Sequence, residues 1–196
     1  MTTIDDELQD AIERGELEPN KLGGTLADSV DIVRQSRERT AGVFPLPDTW
    51  DCVDYAITEI GEALDAELRM KRNGDKRNHD KEATPEHKRM EVGHAGYMLA
   101  SALMQTTYHF TKTDNDRALM RWEMPPTLRS IVWYACIAGD FEAPDELGLA
   151  FVTWVAYCLH NGYEPVELLR ETCAAFEAKH LPVVRGYDFE LISKAE

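Results

Sequence analysis

The sequence predicts an all-α fold. Apolar residues recur at helical spacing through most of the 196 residues, and no stretch alternates with the period of a strand. A hydrophobic content of 43% is enough to bury a core. We therefore expect a single helical domain over residues 1–196. It would have an N-terminal extension at 1–47, a central part at 48–107, and additional helices at 108–196 that complete the bundle or an oligomer interface.

The individual elements follow from apolar periodicity and from residues that start or stop helices. Asp48 or Thr49 can cap the first long helix, and Thr84 followed by Pro85 is typical of a helix start. Asn161 followed by Gly162 is typical of a helix end. The expected helices cover residues 4–14, 26–37, 50–70, 86–107, 117–122, 127–138, 145–161 and 165–180. Between and after them, we expect a turn at 113–116, a break at 139–144 and a tail at 181–196.

Composition excludes several classes of partner. The chain has 36 acidic and 21 basic residues and a net charge of −15, which disfavours nucleic acid and anionic membranes. Its apolar stretches are too short to span a bilayer, and its acidic, amphipathic start is unlike a signal peptide. The cysteines form no CxxC pair, so we expect buried free thiols and a cytoplasmic location. These cysteines are Cys52, Cys136, Cys158 and Cys173.

Two pairs of potential metal ligands lie on the two strongest predicted helices. Glu59 and Glu62 are three residues apart, and so are Glu91 and His94, so each pair projects from one face of its helix. The two carboxylates of Glu59 and Glu62 repel each other at this spacing unless a cation lies between them. If the two helices pack antiparallel, the four groups converge. Oxygen ligands suit Mg²⁺ or Mn²⁺, with open positions left for water and phosphate.

The surroundings of these pairs favour a site over an ordinary solvated face. Apolar residues flank both pairs, which places the carboxylates at the edge of the core. Gly61 and Gly93 lie inside the helices, where glycine costs about 1 kcal/mol relative to alanine. We therefore expect another helix to approach closely at both glycines.

The segment between the two helices is basic, although the chain as a whole is acidic. Residues 69–90 contain eight of the 21 basic residues and only four acidic ones. Such a segment is either a solvated linker or a cationic flap over a metal-bound polyphosphate. The predicted phosphate-binding residues are Arg69, Arg72, Lys76 and Arg77.

The pattern resembles the MazG-like all-α nucleoside triphosphate pyrophosphohydrolases. That family carries Glu-Glu-x-x-Glu on one helix and Glu-x-x-Asp on the next. Glu59 and Glu62 match the last two glutamates of the first motif, and Thr58 stands at the position of its first. Glu91 matches the second motif, with His94 in place of the aspartate. The resemblance covers residues 50–107, with 28 residues between Glu62 and Glu91.

The resemblance implies a MazG-like bundle that cleaves nucleoside or deoxynucleoside triphosphates between the α- and β-phosphates. The products would be a monophosphate and pyrophosphate. It implies that Glu59, Glu62, Glu91 and His94 bind Mg²⁺, that Mn²⁺ is possible because imidazole is a softer ligand, and that Glu59 or Glu62 acts in catalysis. It also implies a homodimer or homotetramer. No residue is singled out for stacking on the base.

Two other functions remain open at the level of sequence. A helical phosphohydrolase of the HD type would use a His-Asp pair, and His79-Asp80 is one, although it lies within the polar segment. A catalytically inactive nucleotide-binding or interaction protein is the other alternative, with aromatic residues forming a partner surface. Their helical spacing favours core packing instead. The residues concerned are Trp122, Trp133, Tyr134, Trp154 and Tyr157.

Overall fold

The computed structural model describes residues 26–73, 84–119 and 125–192, and all regular structure in these ranges is helical. The predicted all-α class is therefore confirmed, while the expected helix at 4–14 lies outside the described residues. The helices are α1 (Leu26–Thr40), α2 (Thr49–Asn73), α3 (Pro85–Leu103), α4 (Lys112–Leu119), α5 (Leu128–Phe141), α6 (Pro144–His160) and α7 (Pro165–Ile192).

Three helix boundaries are set by the local signals that predicted them. Asp48 starts α2, because its side chain accepts hydrogen bonds from two backbone N–H groups at 2.9 Å. Thr84 caps α3 in the same way, with Pro85 at the first helical position. Gly162 follows α6 with a φ of 75°, a left-handed conformation that glycine adopts without strain.

The predicted turn at 113–116 is wrong, because these residues belong to α4. The predicted helix at 117–122 is confirmed at 117–119, and its residues 120–122 lie outside the described residues. Thr111 and Asp114 form a reciprocal cap at the start of α4. The Thr111 backbone N–H donates to Asp114 Oδ2 at 2.8 Å, and the Asp114 backbone N–H donates to Thr111 Oγ1 at 3.2 Å. A polar run that suggested a turn is therefore the first turn of a helix.

Two predicted helix ends also lie too early in the chain. α5 passes through Gly139 to Phe141, and Glu142 adopts the left-handed conformation that ends it, with a φ of 48°. α7 continues beyond the predicted end at His180 as far as Ile192, so most of the expected tail is helical. Glycine lowers helix stability without excluding a helix, so Gly139 is a poor marker of a boundary.

The antiparallel pair of α2 and α3 positions the predicted site. Gln105 Nε2 donates to Cys52 Sγ at 3.8 Å near one end of the pair. At the other end, Lys88 Nζ lies 3.0 Å from Glu67 Oε2. As the residue numbers of the contacts increase along α2, those of their partners decrease along α3, so the two helices are antiparallel.

The other faces of α3 pack against α1, α6 and α7, which makes α3 the central helix of the described part. Trp154 of α6 is fully buried, and its Nε1 donates to the carbonyl of Val92 at 2.8 Å. Its indole occupies the space that a side chain at Gly96 would need. Because α3 is held on several sides, the residues on its α2 face have fixed positions.

The two glycines beside the predicted ligands differ in their surroundings. Gly93 faces Thr172 and Leu168 of α7, so the expected close approach is confirmed there. A Cβ at Gly61 would meet no atom within 4 Å, so the expectation is wrong at that position.

We expect Gly61→Ala to raise the free energy of unfolding by about 0.5–1 kcal/mol, because alanine favours the helix and has room. Gly93→Ala should lower it, since the methyl group would collide with Thr172. Urea denaturation followed by circular dichroism measures both changes. Equal changes in the two variants would contradict this account of the packing.

Side-chain burial confirms some of the expectations from composition and corrects others. Three cysteines are buried free thiols as predicted, but Cys136 is exposed. Trp154 and Tyr157 belong to the core, whereas Trp133 is 66% exposed, and Trp122 lies outside the described residues. Within the described ranges, no helix combines the length and the apolar character needed to cross a membrane.

Candidate metal centre

Three of the four predicted ligands converge where α2 and α3 meet. Ligand atoms of Glu59, Glu91 and His94 all lie within 4.8 Å of one another. His94 Nδ1 is 3.1 Å from Glu91 Oε2 and 3.5 Å from Glu59 Oε2. Ligands bound to one cation at about 2.0–2.3 Å are separated by no more than about 4.6 Å, so small adjustments would fit these groups around a single ion.

Burial and the hydrogen bonds among the three groups shift their pKa values in different directions. The Glu91 side chain is 4% exposed, and burial together with a hydrogen bond to Glu59 raises its pKa to about 7. Burial opposes the ionised form of Glu59, but hydrogen bonds from His94 and Glu91 outweigh it and lower the pKa of Glu59. The hydrogen bond to Glu59 raises the pKa of His94. Binding of a metal at this cluster would displace these protons.

The pKa of Glu91 predicts how the stability of the metal-free chain depends on pH. A carboxyl whose pKa is higher in the folded state stabilises the fold at low pH, and this contribution is lost as the pH rises from about 4.5 to about 7. The raised pKa of His94 acts in the same direction. In Glu91→Gln the side chain at this position is neutral at every pH. In EDTA at pH 8, we therefore expect the free energy of unfolding of this variant to be higher than that of the original chain by about 2 kcal/mol.

At pH 5 the two proteins should have similar stability, since Glu91 is then protonated and resembles glutamine. Urea denaturation at both pH values measures the difference. A Glu91→Gln variant that is less stable than the original chain at pH 8 would contradict the described environment of Glu91.

Glu62 lies outside the group of three. It is exposed, and it lines an adjoining cavity of about 330 Å³. Thr58 also lines this cavity. Glu59 and Glu62 point about 60° apart on the helix, so one reaches the seam between α2 and α3 while the other faces the cavity.

His87 belongs to the site but was not predicted as a metal-site residue. Its Nε2 lies 3.5 Å from Glu91 Oε1, and its side chain lines the same cavity as Glu62. The sequence does contain a signal for it, because His87 precedes Glu91 by four residues and therefore lies on the same helix face. His87 thus connects the most buried carboxyl of the cluster with the cavity.

The predicted phosphate-binding residues are described only in part. Arg69 lines the cavity beside Glu62, and its Nε lies 2.6 Å from Asp65 Oδ2. Arg72 is exposed in the last turn of α2. Lys76 and Arg77 lie outside the described residues, as does the His79-Asp80 pair of the alternative function.

Comparisons of this chain with protein-family models, with curated proteins and with solved structures find no match.

Proposed function

We propose that the chain is a metal-dependent nucleoside triphosphate pyrophosphohydrolase with a MazG-like bundle. The observation that supports this most directly is the convergence of Glu59, Glu91 and His94 from two antiparallel helices. These residues occupy three of the positions to which the family resemblance assigns metal binding. The cavity beside them provides room for substrate phosphates.

Glu59, Glu91 and His94 would hold a divalent cation. When bound, such a cation neutralises charge on phosphate oxygens and lowers the pKa of a coordinated water. Mg²⁺ prefers oxygen ligands, whereas Mn²⁺ also accepts imidazole, so His94 favours Mn²⁺ over Mg²⁺. His87 would orient Glu91 through the oxygen that His94 does not contact.

Glu62 is placed to act on the attacking water, because it is an exposed carboxylate at the wall of the cavity. The water oxygen would form a bond to the α-phosphorus, and the bond from the α-phosphorus to the bridging oxygen would break. Glu62 would accept the proton of the water. The products are a nucleoside monophosphate and pyrophosphate, and Arg69 and Arg72 would neutralise charge on the leaving pyrophosphate.

Analysis of reaction products tests this proposal. The purified chain is incubated with a panel of NTPs and dNTPs in Mg²⁺ or Mn²⁺, and the products are separated by ion-exchange chromatography. Monophosphate and pyrophosphate in equal amounts are expected, at a higher rate in Mn²⁺. Nucleoside and triphosphate would indicate the HD-type alternative, and absence of turnover would indicate a binding protein. A homodimer or homotetramer is part of the proposal, as the family resemblance implies.

Glu62→Gln is expected to lower kcat by about 100-fold or more, because glutamine cannot accept the proton. Metal affinity should change by less than threefold, since Glu62 lies outside the ligand cluster. Steady-state kinetics and Mn²⁺ titration separate the two effects. Glu167→Gln on α7 is the matched control, because Glu167 is exposed and does not line the cavity. A fully active Glu62→Gln variant would exclude Glu62 as the base.

A further inference from the structure

A second cavity lies apart from the candidate metal centre. Its volume is about 580 Å³, which is typical of sites for small molecules, and it shares no lining residue with the cavity beside the metal ligands. α2 directs Leu64 to this groove and Glu62 to the other cavity. On α3, His87 lines the cavity beside the metal ligands, whereas the next residue, Lys88, lines this groove. The groove is therefore a separate place for a ligand.

The groove is positively charged although the chain carries a net charge of −15. Lys71, Lys88 and Arg129 line it, and Glu67 is the one acidic residue that its described lining contains. The two lysines share this carboxylate, since Lys71 Nζ lies 2.5 Å from Glu67 Oε1 and Lys88 Nζ lies 3.0 Å from Glu67 Oε2. Two positive charges therefore remain in excess, which matches the charge of about −2 on a phosphate monoester at pH 7.

Tyr157 supplies an independent indication of a ligand. Its side chain lines the groove, and its buried hydroxyl finds no acceptor among the described residues. Lys88 can donate a hydrogen bond to the hydroxyl oxygen but cannot accept one from it, and its Nζ lies 5.8 Å from the centre of the Tyr157 ring. Buried hydroxyl groups nearly always have a partner, so this hydroxyl is an open donor beside an ammonium group.

The lining also contains apolar residues, among them Leu64, Leu68 and Pro125, together with the polar residues Thr127, His160 and Asn161. Leu68 is 44% exposed. A free phosphate ion would leave Leu68 and the exposed Pro125 in contact with water, whereas an aromatic or aliphatic group attached to the phosphate would cover them.

We infer that this groove is a second binding site, for a phosphate monoester with an apolar body. Lys88, Arg129 and the Tyr157 hydroxyl bind the phosphate, and the leucine and proline walls contact the body. This site does not depend on the proposed pyrophosphohydrolase activity, because it uses none of the metal-site residues.

Isothermal titration calorimetry with phenyl phosphate, inorganic phosphate and phenol tests this site. EDTA is present, so that no metal ion can bind phosphate at Glu59 and Glu91. Phenyl phosphate is expected to bind at least tenfold more tightly than inorganic phosphate or phenol. Equal affinity for phenyl phosphate and inorganic phosphate, or no binding of phenyl phosphate at 10 mM, would overturn the inference.

Variants then locate the bound ligand. Lys88→Met should weaken binding of phenyl phosphate about tenfold or more, and Lys88→Arg should restore most of it. Tyr157→Phe should weaken binding several-fold while changing the stability of the free protein little, because the hydroxyl that it removes has no acceptor in the free protein. Lys179→Met is the matched control, since Lys179 is an exposed lysine that does not line the groove.

Glu59→Gln should leave the affinity for phenyl phosphate unchanged, even if the chain hydrolyses no nucleotide. Binding that persists in both Lys88→Met and Tyr157→Phe, or that is lost in Glu59→Gln, would contradict a site in this groove.

Discussion

Glu91→Ala is expected to abolish hydrolysis of nucleoside triphosphates, with a fall in kcat/KM of about 1000-fold or more. Glu91 is the most buried of the three clustered groups, and it contacts His94 on one oxygen and His87 on the other. Its removal therefore takes away a ligand and releases both imidazoles. Affinity for Mn²⁺ should fall by about 10- to 100-fold or more.

We expect Glu91→Ala to lose activity because it lacks a metal ligand and not because it unfolds. Burial of Glu91 raises its pKa and makes its carboxylate form unfavourable in the metal-free fold, so we expect the chain to remain folded at neutral pH when this carboxyl is removed. Circular dichroism checks this point. Glu86→Ala, an exposed glutamate in the first turn of α3, is the matched control and should keep activity within about twofold. More than a tenth of the original activity in Glu91→Ala would contradict the role of Glu91.

Trp154→Ala is expected to lower the free energy of unfolding by about 3–5 kcal/mol. The ring is fully buried and stacks on Phe151, with 5.4 Å between ring centres, and its N–H donates to Val92. Alanine leaves a large cavity between α6 and α3 and an unpaired carbonyl. Because α3 carries Glu91 and His94, metal affinity should also fall.

Trp133→Ala provides the control for size and chemistry, because Trp133 is the same residue type on α5 but is 66% exposed. Its effect should be within about 0.5 kcal/mol. Urea denaturation of both variants measures the contrast. Similar losses of stability in the two variants would contradict the described burial of Trp154.

The helices could be predicted where a local signal determines the structure. Asp48, Thr84 with Pro85, and Gly162 act through their own backbone neighbours, so each boundary was readable from a few residues. The reciprocal cap of Thr111 and Asp114 is also local, but its polar composition is shared with turns.

Burial was harder to predict because it depends on which helix packs against which face. Trp133 and Trp154 both lie on apolar helices, yet one is exposed and the other is central to the core. Gly61 and Gly93 have the same helical context, and only Gly93 meets another helix. Periodicity identifies an apolar face, but the neighbours of that face are set by the tertiary fold.

The sequence also predicted the candidate site only in part, namely the features that depend on local spacing and not those that depend on packing. The three-residue spacing of Glu59 with Glu62, and of Glu91 with His94, identified the helix faces that meet. It could not determine that Glu59 would join the cluster while Glu62 faces the adjoining cavity, because that depends on how α2 is rotated against α3. The position of His87 beside Glu91 and the cavity likewise depends on how the two helices pack, so the sequence alone could not determine it.

Pulsed electron paramagnetic resonance of Mn²⁺ can test the claim that Glu59, Glu91 and His94 bind one divalent cation. The method detects the ¹⁴N nucleus of an imidazole bonded to the metal. We predict one tightly bound Mn²⁺ per chain with a ¹⁴N coupling, and loss of that coupling in His94→Ala. Tightly bound Mn²⁺ without a ¹⁴N coupling, or a coupling that persists in His94→Ala, would contradict the claim.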